Sequence, residues 1–221
     1  MKDIVIIGAG GVGSETAWII EQINIKKDEW NLLGFIDDNE LMQGKDIIGY
    51  KVIGSVEKFI KTYKNFKKED RPYVVIAIAN YSVKKDIVNK LKNMFNFATL
   101  IHPDVFVHIS NSIGEGCIIY PGVIMTVDIK IGNHVIVSPK CGIGHNSTIG
   151  DYVSLLWNVN VSGYDQIGEG VLIGSGATII QDKMINKEAI IGAGSVIISN
   201  INFKDKFVGV PGRKINERSR E

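Results

Sequence analysis

One histidine in the chain stands where an imidazole could act as a base. His145 lies in the stretch CGIGHNSTIG, residues 141–150, in which two isoleucines recur six residues apart and each is followed by glycine. Neutral imidazole takes up a proton near neutral pH, so an imidazole on the polar side of a regular repeat could activate an attacking amine or hydroxyl group. The next residue, Asn146, offers an amide that can orient the ring but carries no charge. The alternative is a solvated histidine on a turn.

A glycine-rich stretch near the start of the chain could hold a phosphate group. Gly8, Gly10 and Gly13 have the spacing G-x-G-x-x-G, after an apolar run and before a helical pattern. A helix that begins at such a turn presents N–H groups and the positive end of its dipole, which suit a pyrophosphate. Asp37 and Asp38 follow the next apolar run, where a carboxylate could bind a ribose or a base. The sequence predicts nucleotide binding here; the alternative is glycines that only allow close helix–sheet packing and carboxylates of a solvated turn.

A strict period of six residues predicts the fold of the second half of the chain. A period of six fits neither an α-helix nor an alternating strand. It indicates a solenoid of short parallel strands with eighteen residues per coil, whose aliphatic side chains point into the shaft and whose coils lie about 4.8 Å apart. The aliphatic positions are Val107, Ile113, Ile119, Met125, Ile131, Val137, Ile143, Ile149, Leu155, Val161, Ile167, Ile173, Ile179, Ile185, Ile191 and Ile197.

The first hundred residues have a different pattern. Apolar runs alternate with helical segments, which predicts a small α/β domain with a parallel sheet, Rossmann-like but too short for a complete dinucleotide fold. A nicotinamide dehydrogenase would need a second mononucleotide half, and none is visible. We therefore predict two domains, a nucleotide-binding domain over residues 1–100 and the solenoid with a C-terminal tail over residues 101–221.

Composition excludes several other classes of function. The formal net charge of +1 gives no basic surface for nucleic acid or for an anionic membrane. No run of eighteen apolar residues and no signal peptide is recognisable, so a cytoplasmic protein is expected. Cys117 and Cys141 both occupy the fifth position of a hexapeptide, where small residues point inward, which predicts buried thiols without redox or metal chemistry.

These features together resemble one family over nearly the whole chain. The stretches GAGGVG, GFIDDN, IAIAN, LIHP, GHNSTIGD and FVGVPGRKI are similar to bacterial nucleotide-sugar acetyltransferases of the hexapeptide-repeat superfamily, in particular UDP-amino-sugar N-acetyltransferases and sialic acid O-acetyltransferases. The resemblance implies a left-handed β-helix, a homotrimer, a nucleotide sugar held by the N-terminal domain, and acetyl-CoA in a groove between neighbouring subunits.

The family histidine corresponds to His145, and the repeat places a second functional residue beside it. Gly163 is eighteen positions further on and should lie one coil above, where its N–H could stabilise the oxyanion of the tetrahedral intermediate. The chain departs from the family at Asn146, where an acidic residue is expected, and at Ser154, where a second histidine is expected. Base strength, and with it the choice between amine and hydroxyl acceptor, depends on these differences.

The resemblance also implies the binding residues for both substrates. A column at positions 157, 175 and 193 ends in two small residues against which the pantetheine arm could lie. The implied acetyl-CoA contacts are Ser154, Gly163, Ser175 and Ala193, and the implied nucleotide-sugar contacts are Gly10, Gly11, Val12, Asp37, Asp38, Ala79 and Asn80. A zinc site of three convergent histidines is disfavoured because His108 and His134 are not separated from His145 by whole coils. No metal is expected.

The predicted function is therefore acetyl-CoA-dependent N-acetylation of a UDP-linked or other nucleotide-linked amino sugar for a surface glycan or glycoprotein. Two alternatives stay open at this point. One is O-acetylation of a sugar such as sialic acid, and the other is a non-catalytic trimeric scaffold that senses a nucleotide.

Overall fold

The structure is a computed structural model that describes residues 1–215. The chain divides into two compact units, one formed by Met1–Pro103 with Glu115–Ile118 and the other by Asp104–Gly114 with the chain from Ile119 onward. The domain ranges 1–100 and 101–221 stay predictions about independently folding parts. Among the described residues, none of the helices combines the length and the hydropathy needed to cross a membrane.

The first unit is a parallel sheet with three helices. Its strands and helices are β1 (Lys2–Ile7), α1 (Gly11–Lys26), β2 (Trp30–Ile36), β3 (Asp46–Ile47), β4 (Tyr50–Gly54), α2 (Val56–Tyr63), β5 (Tyr73–Ile76), α3 (Tyr81–Leu91) and β6 (Leu100–Ile101). The order β3-β4-β2-β1-β5 has parallel pairs throughout except for the β3–β4 hairpin. The carboxyl ends of β1, β2 and β5 therefore meet at one edge of the sheet, where ligands bind in such folds.

The glycines of the G-x-G-x-x-G stretch have different roles. Gly8 ends β1 with φ of 103°, a conformation that favours glycine. A Cβ at Gly13 would lie 2.0 Å from the carbonyl oxygen of Gly8, so this glycine allows α1 to pack against the strand. Gly10 precedes the first residue of α1, and a Cβ there would meet no atom within 4 Å. Packing therefore requires Gly8 and Gly13, whereas Gly10 is left open on the surface.

The second unit is a parallel β-helix of two-residue strands, apart from the three-residue β22, with a short hairpin at its end. The strands are β7 (Ser112–Ile113), β8 (Ile118–Ile119), β9 (Ile124–Met125), β10 (Lys130–Ile131), β11 (Ile136–Val137), β12 (Gly142–Ile143), β13 (Thr148–Ile149), β14 (Ser154–Leu155), β15 (Asn160–Val161), β16 (Gln166–Ile167), β17 (Leu172–Ile173), β18 (Thr178–Ile179), β19 (Met184–Ile185), β20 (Ile190–Ile191), β21 (Val196–Ile197), β22 (Lys206–Val208) and β23 (Arg213–Lys214).

The period of six in the sequence corresponds directly to this architecture. Strands three apart in order pair in parallel with a register of eighteen residues, as in Gly142 opposite Asn160. The resulting sheets are β7-β10-β13-β16-β19, β9-β12-β15-β18-β21 and, within this unit, β11-β14-β17-β20-β22-β23. From Met125 onward, the aliphatic residue of every repeat is buried and points into the shaft. The chain turns between strands through residues with φ near +60°, of which Asn146 and Tyr164 are examples.

Most of the fifth positions of the hexapeptides are small or apolar, as the sequence predicts, and Asp165 and Lys183 are among the exceptions. Cys141 is buried there and donates a hydrogen bond to the carbonyl oxygen of Leu156 at 2.9 Å. Burial raises the pKa of the Cys141 thiol to about 11, although backbone hydrogen bonds partly oppose this. The reactive thiolate is therefore scarce at neutral pH, and Cys141 is not suited to forming an acyl-enzyme.

Candidate active site

The strongest candidate site on the β-helix is one of its corners, formed by His145, Asn146, Gly163 and Tyr164 and called the His145 corner below. His145 follows β12 and is exposed. Gly163 lies one coil above it, because the two coils pair with a register of eighteen residues. A Cβ at Gly163 would lie 2.8 Å from both Cε1 and Nε2 of His145. The imidazole therefore packs directly against the backbone of Gly163, which accommodates it only as glycine.

Asn146 orients the imidazole. Its Oδ1 lies 3.0 Å from Nδ1 of His145. An amide oxygen only accepts hydrogen bonds, so Nδ1 carries a hydrogen, and in the neutral ring Nε2 then keeps its lone pair. Asn146 has φ of 60°, a conformation in which asparagine is common and which brings its side chain beside the preceding residue. This arrangement provides the tautomer that a general base at Nε2 requires.

A backbone donor lies beside the ring. The N–H of Gly163 makes no hydrogen bond to any group among residues 1–215, whereas its carbonyl oxygen accepts from the N–H of Asp182 at 3.0 Å. A Cβ at Gly144 would lie 2.6 Å from the nitrogen of Gly163, so the lack of a side chain at Gly144 leaves this N–H uncovered on that side. A fixed, uncompensated donor is what an oxyanion site needs.

The sequence analysis missed one residue of this corner, Tyr164, and one residue directly behind it, Asp165. The half-exposed ring of Tyr164 packs at 90° to the imidazole of His145, with ring centroids 5.0 Å apart. Asp165 is fully buried in the shaft behind the corner. Asp165 was recognisable in the sequence, because it is a carboxylic acid at an inward fifth position. The contact of the Tyr164 ring was not recognisable, since it depends on the direction that a left-handed turn gives the side chain.

The residues implied as acetyl-CoA contacts are placed differently from one another. Ser175 and Ala193 are exposed and stacked, with the N–H of Gly194 donating to the carbonyl oxygen of Ser175 at 2.8 Å. Trp157 lies below them in the same column and is 48% exposed. Ser154 lies in β14 and is only 1% exposed, so its side chain is covered within the single chain.

A second candidate site lies at the carboxyl edge of the sheet in the first unit. A cavity of about 150 Å³ is lined by Gly8, Asp37, Asp38 and apolar side chains, and a neighbouring cavity of about 430 Å³ is lined by Asp38, Ser55 and Lys90 among others. Gly11 and Val12 are the first two residues of α1 and so lie at its positive end. The edge combines open backbone with carboxylates, as a nucleotide site requires.

Some of the polar side chains at this edge already make hydrogen bonds within the protein. Both oxygens of Asp37 accept backbone hydrogen bonds, from Ala9 at 2.8 Å and from Asn39 at 2.9 Å. Asp38 accepts from the N–H of Val56 at 2.8 Å and is exposed. Asp37 therefore ties the glycine stretch to the end of β2, which leaves Asp38 as the carboxylate more open to a ligand.

The segment after β5 completes the edge. Asn80 caps α3, with its Oδ1 accepting from the N–H of Val83 at 3.1 Å and from the hydroxyl of Ser82 at 2.9 Å. Ala79 precedes it and is half-buried. The roles of both residues in substrate binding stay predictions.

Gly10 offers a test of the nucleotide edge. Because a Cβ at this position meets no atom within 4 Å, Gly10→Val should fold normally while placing a branched side chain over the start of α1. We expect the KM for the nucleotide sugar to rise about tenfold or more, with the KM for acetyl-CoA changed less than about twofold. Gly10→Ala should give a smaller effect in the same direction. Equal increases in both KM values would place the nucleotide elsewhere.

Comparisons with known proteins cover both units. Residues 3–91 match the family model of the PglD N-terminal domain. The acetyltransferase domain of PglB from Neisseria gonorrhoeae has 25% sequence identity and a TM-score of 0.86, over 97% of this chain and 100% of that chain. WeeI from Acinetobacter baumannii has 29% identity and a TM-score of 0.82, over 97% of this chain and 100% of that chain. No curated protein sequence matches the chain.

A third structure is similar in fold. It is a variant of perosamine N-acetyltransferase from Caulobacter crescentus in complex with CoA and GDP-perosamine, with 22% identity and a TM-score of 0.89 over 98% of each chain. The predicted architecture, a small parallel-sheet domain followed by a left-handed β-helix, is confirmed. The resemblance inferred from the sequence is confirmed as well: residues 3–91 match the family model of the PglD N-terminal domain, and the whole chain is similar to the acetyltransferase domain of PglB and to WeeI.

Proposed function

We propose that the protein transfers the acetyl group of acetyl-CoA to the amino group of a nucleotide-linked sugar. The observation that carries this proposal is the His145 corner, where Asn146 leaves a lone pair on Nε2 and the unbonded N–H of Gly163 lies beside the same ring. A proton acceptor and an oxyanion donor at one point are the two groups that acyl transfer between a thioester and an amine requires. The similar Caulobacter protein, in complex with CoA and GDP-perosamine, supports these substrate classes.

In the proposed reaction the sugar amine attacks the thioester carbonyl carbon, and Nε2 of His145 accepts the proton that the amine loses. The N–H of Gly163 stabilises the negative charge that develops on the carbonyl oxygen. When the tetrahedral intermediate collapses, the carbon–sulfur bond breaks and the thiolate of CoA takes up a proton, which His145 can return. No covalent acyl-enzyme is needed, in agreement with the buried, unreactive thiol of Cys141.

A panel of acceptors tests the proposal. Release of CoA thiol is measured with acetyl-CoA and UDP-linked amino sugars, GDP-linked amino sugars, the matching hydroxyl sugars, and free sugars including sialic acid. We expect turnover only with nucleotide-linked amino sugars. Comparison of the UDP-linked with the GDP-linked sugars shows which nucleotide the enzyme accepts. Turnover with a hydroxyl sugar alone would establish the O-acetyltransferase alternative, and binding of nucleotide without any thiol release would favour the scaffold.

We further propose that the active form is a homotrimer. Ile124, Ile180 and Ile198 lie on or next to the strands of one sheet and are 68%, 38% and 44% exposed, which is typical of a surface covered by another subunit. A neighbouring subunit would also provide a second wall for acetyl-CoA along Ser175 and Ala193. Light scattering should give three times the mass of the chain, and a stable, fully active monomer would contradict the proposal. A cytoplasmic location stays a prediction.

Asn146 tests the role assigned to the imidazole. In Asn146→Asp a carboxylate replaces the amide 3.0 Å from Nδ1, in a left-handed conformation that aspartate tolerates. A nearby anion favours the protonated ring, so we expect the acidic limb of the kcat/KM profile to move to higher pH by about one unit. The control is Asn158→Asp, the same change at a corner with φ of 56°. If both variants keep the wild-type profile, His145 is not the base.

A further inference from the structure

A carboxylic acid lies inside the β-helix immediately behind the His145 corner. Asp165 is 0% exposed and occupies an inward fifth position. At comparable positions the chain places Val153, Val159 and Val171, which are also 0% exposed. Packing of the shaft therefore does not call for an acidic group at position 165, since valine fills the same place elsewhere in the chain.

Hydrogen bonds join Asp165 to the coils below and above it. Its Oδ1 accepts from the N–H of Lys183 at 2.7 Å, and its own N–H donates to the hydroxyl oxygen of Ser147 at 3.2 Å. The hydroxyl of Ser147 donates in turn to the carbonyl oxygen of Ser162 at 2.8 Å. The network thus fixes the ends of the segment 162–165 to two neighbouring coils. It acts on the segment that carries Gly163 and Tyr164.

The buried carboxyl group of Asp165 lowers the stability of the fold when it is ionised. Its Oδ2 is buried and has no hydrogen-bond partner among residues 1–215. Burial raises the pKa of Asp165 to about 6, opposed by hydrogen bonds from the backbone of Lys183 and Ser162 and by the charge of Lys183, and reinforced by the charge of Asp182. A buried and incompletely bonded carboxylate destabilises a protein, and such groups are concentrated at functional sites.

We propose that Asp165 is a positioning residue for acyl transfer: its buried carboxyl group fixes the turn of Gly163 and Tyr164, and this turn sets the orientation of the His145 ring and of the Gly163 N–H. The turn contacts the ring on two sides, through the backbone of Gly163 and through the aromatic ring of Tyr164. The importance of this orientation for turnover rests on the proposed function.

The kinetic test compares Asp165→Val with Asp165→Asn. Valine restores the apolar fifth position but removes the bond to Lys183, so we expect kcat to fall about tenfold or more with both KM values changed less than about twofold. Asparagine keeps an oxygen acceptor and should retain kcat within about threefold. Ser195→Ala is the matched control, because Ser195 is another buried fifth-position residue whose hydroxyl accepts from a backbone N–H, that of Gly209 at 3.2 Å. Wild-type kcat in Asp165→Val, or a rise in KM alone, would overturn the proposal.

Melting temperature separates positioning from loss of the fold. Burial raises the pKa of Asp165 from 3.8 to about 6, so the folded state favours the protonated carboxyl group. The resulting stabilisation is fully present below pH 3.8, the pKa in the unfolded chain, and is lost as the pH rises through about 6. Asp165→Val should therefore melt no lower than the wild type at pH 8. The melting temperature of the variant minus that of the wild type should be larger at pH 8 than at pH 5. A lower melting temperature at pH 8 would assign Asp165 a structural role and contradict the proposal.

A measurement without substrates distinguishes this proposal from the proposed function. Long-range proton–nitrogen NMR of the His145 ring, assigned with His145→Gln, should show shifted ring resonances in Asp165→Val, and unshifted resonances in Ser195→Ala. Shifted resonances in a protein that transfers no acetyl group would support the positioning role and refute only the enzymatic proposal. Unshifted resonances in Asp165→Val would overturn the positioning role whatever the activity.

Discussion

Replacing His145 with alanine is expected to lower kcat by roughly 10²- to 10⁴-fold and to leave the affinity for acetyl-CoA nearly unchanged. A positioned base acts on proton transfer in the transition state and contributes little to ground-state binding. Its ring is exposed at the corner and is held by Asn146 and Gly163, so its removal leaves no cavity in the shaft. Steady-state kinetics and calorimetric titration with CoA measure the two quantities separately.

The control for this variant is His108→Ala. His108 resembles His145 locally, because its Nδ1 lies 2.9 Å from the hydroxyl oxygen of a nearby residue, Ser110. Its removal should leave kcat within about twofold of the wild type. If His145→Ala keeps wild-type turnover, or if it loses CoA binding in proportion to kcat, the imidazole is not the base.

Gly163→Ala is expected to lower kcat about 10²-fold without unfolding the protein. The added methyl group would lie 2.8 Å from Cε1 and Nε2 of His145, closer than atoms in contact can approach, so the imidazole must turn away from its place. Misplacement by about 1 Å can cost about 10²-fold in rate. Gly163 does not have the positive φ that would strain an alanine. The loss of kcat should therefore come from displacement of the His145 ring and not from a change in the backbone.

The matched control is Gly142→Ala on the preceding coil. There the nearest atom to the new methyl group is Oδ1 of Asn160 at 3.3 Å, the end of an exposed side chain that can move. Both variants should melt within a few degrees of the wild type, and only Gly163→Ala should lose activity. A fully active Gly163→Ala would show that the ring position beside this glycine does not matter for catalysis.

The sequence predicts the backbone of the β-helix well because one physical requirement repeats along it. Every sixth side chain must fill the shaft, and the spacing of eighteen residues then gives the register between coils. This is why Gly163 could be placed above His145 from residue numbers alone, and why Ser175 and Ala193 lie in one column.

Side-chain roles that depend on the direction of a turn or on bonds between distant residues were not predictable in the same way. Asp37 has the position of a nucleotide ligand in the sequence, yet both of its oxygens bond to backbone N–H groups, one of them 28 residues away at Ala9. Ser154 aligns with a family histidine but is only 1% exposed. The contact of Tyr164 with His145 requires its left-handed φ of 61°, which no local pattern specifies.

If His145 is the base for acetylation of a sugar amine, the reaction must require both its imidazole and an amino group on the acceptor, and a pair of matched acceptors tests this. One nucleotide sugar is supplied with an amino group and, separately, with a hydroxyl group at the same carbon, to the wild type and to His145→Ala, and the products are identified by mass spectrometry. We expect one added acetyl group on the amino sugar only, and we expect this product to be lost in His145→Ala while CoA still binds. Acetylation of the hydroxyl sugar by the wild type, or of the amino sugar by His145→Ala at the wild-type rate, would contradict this expectation.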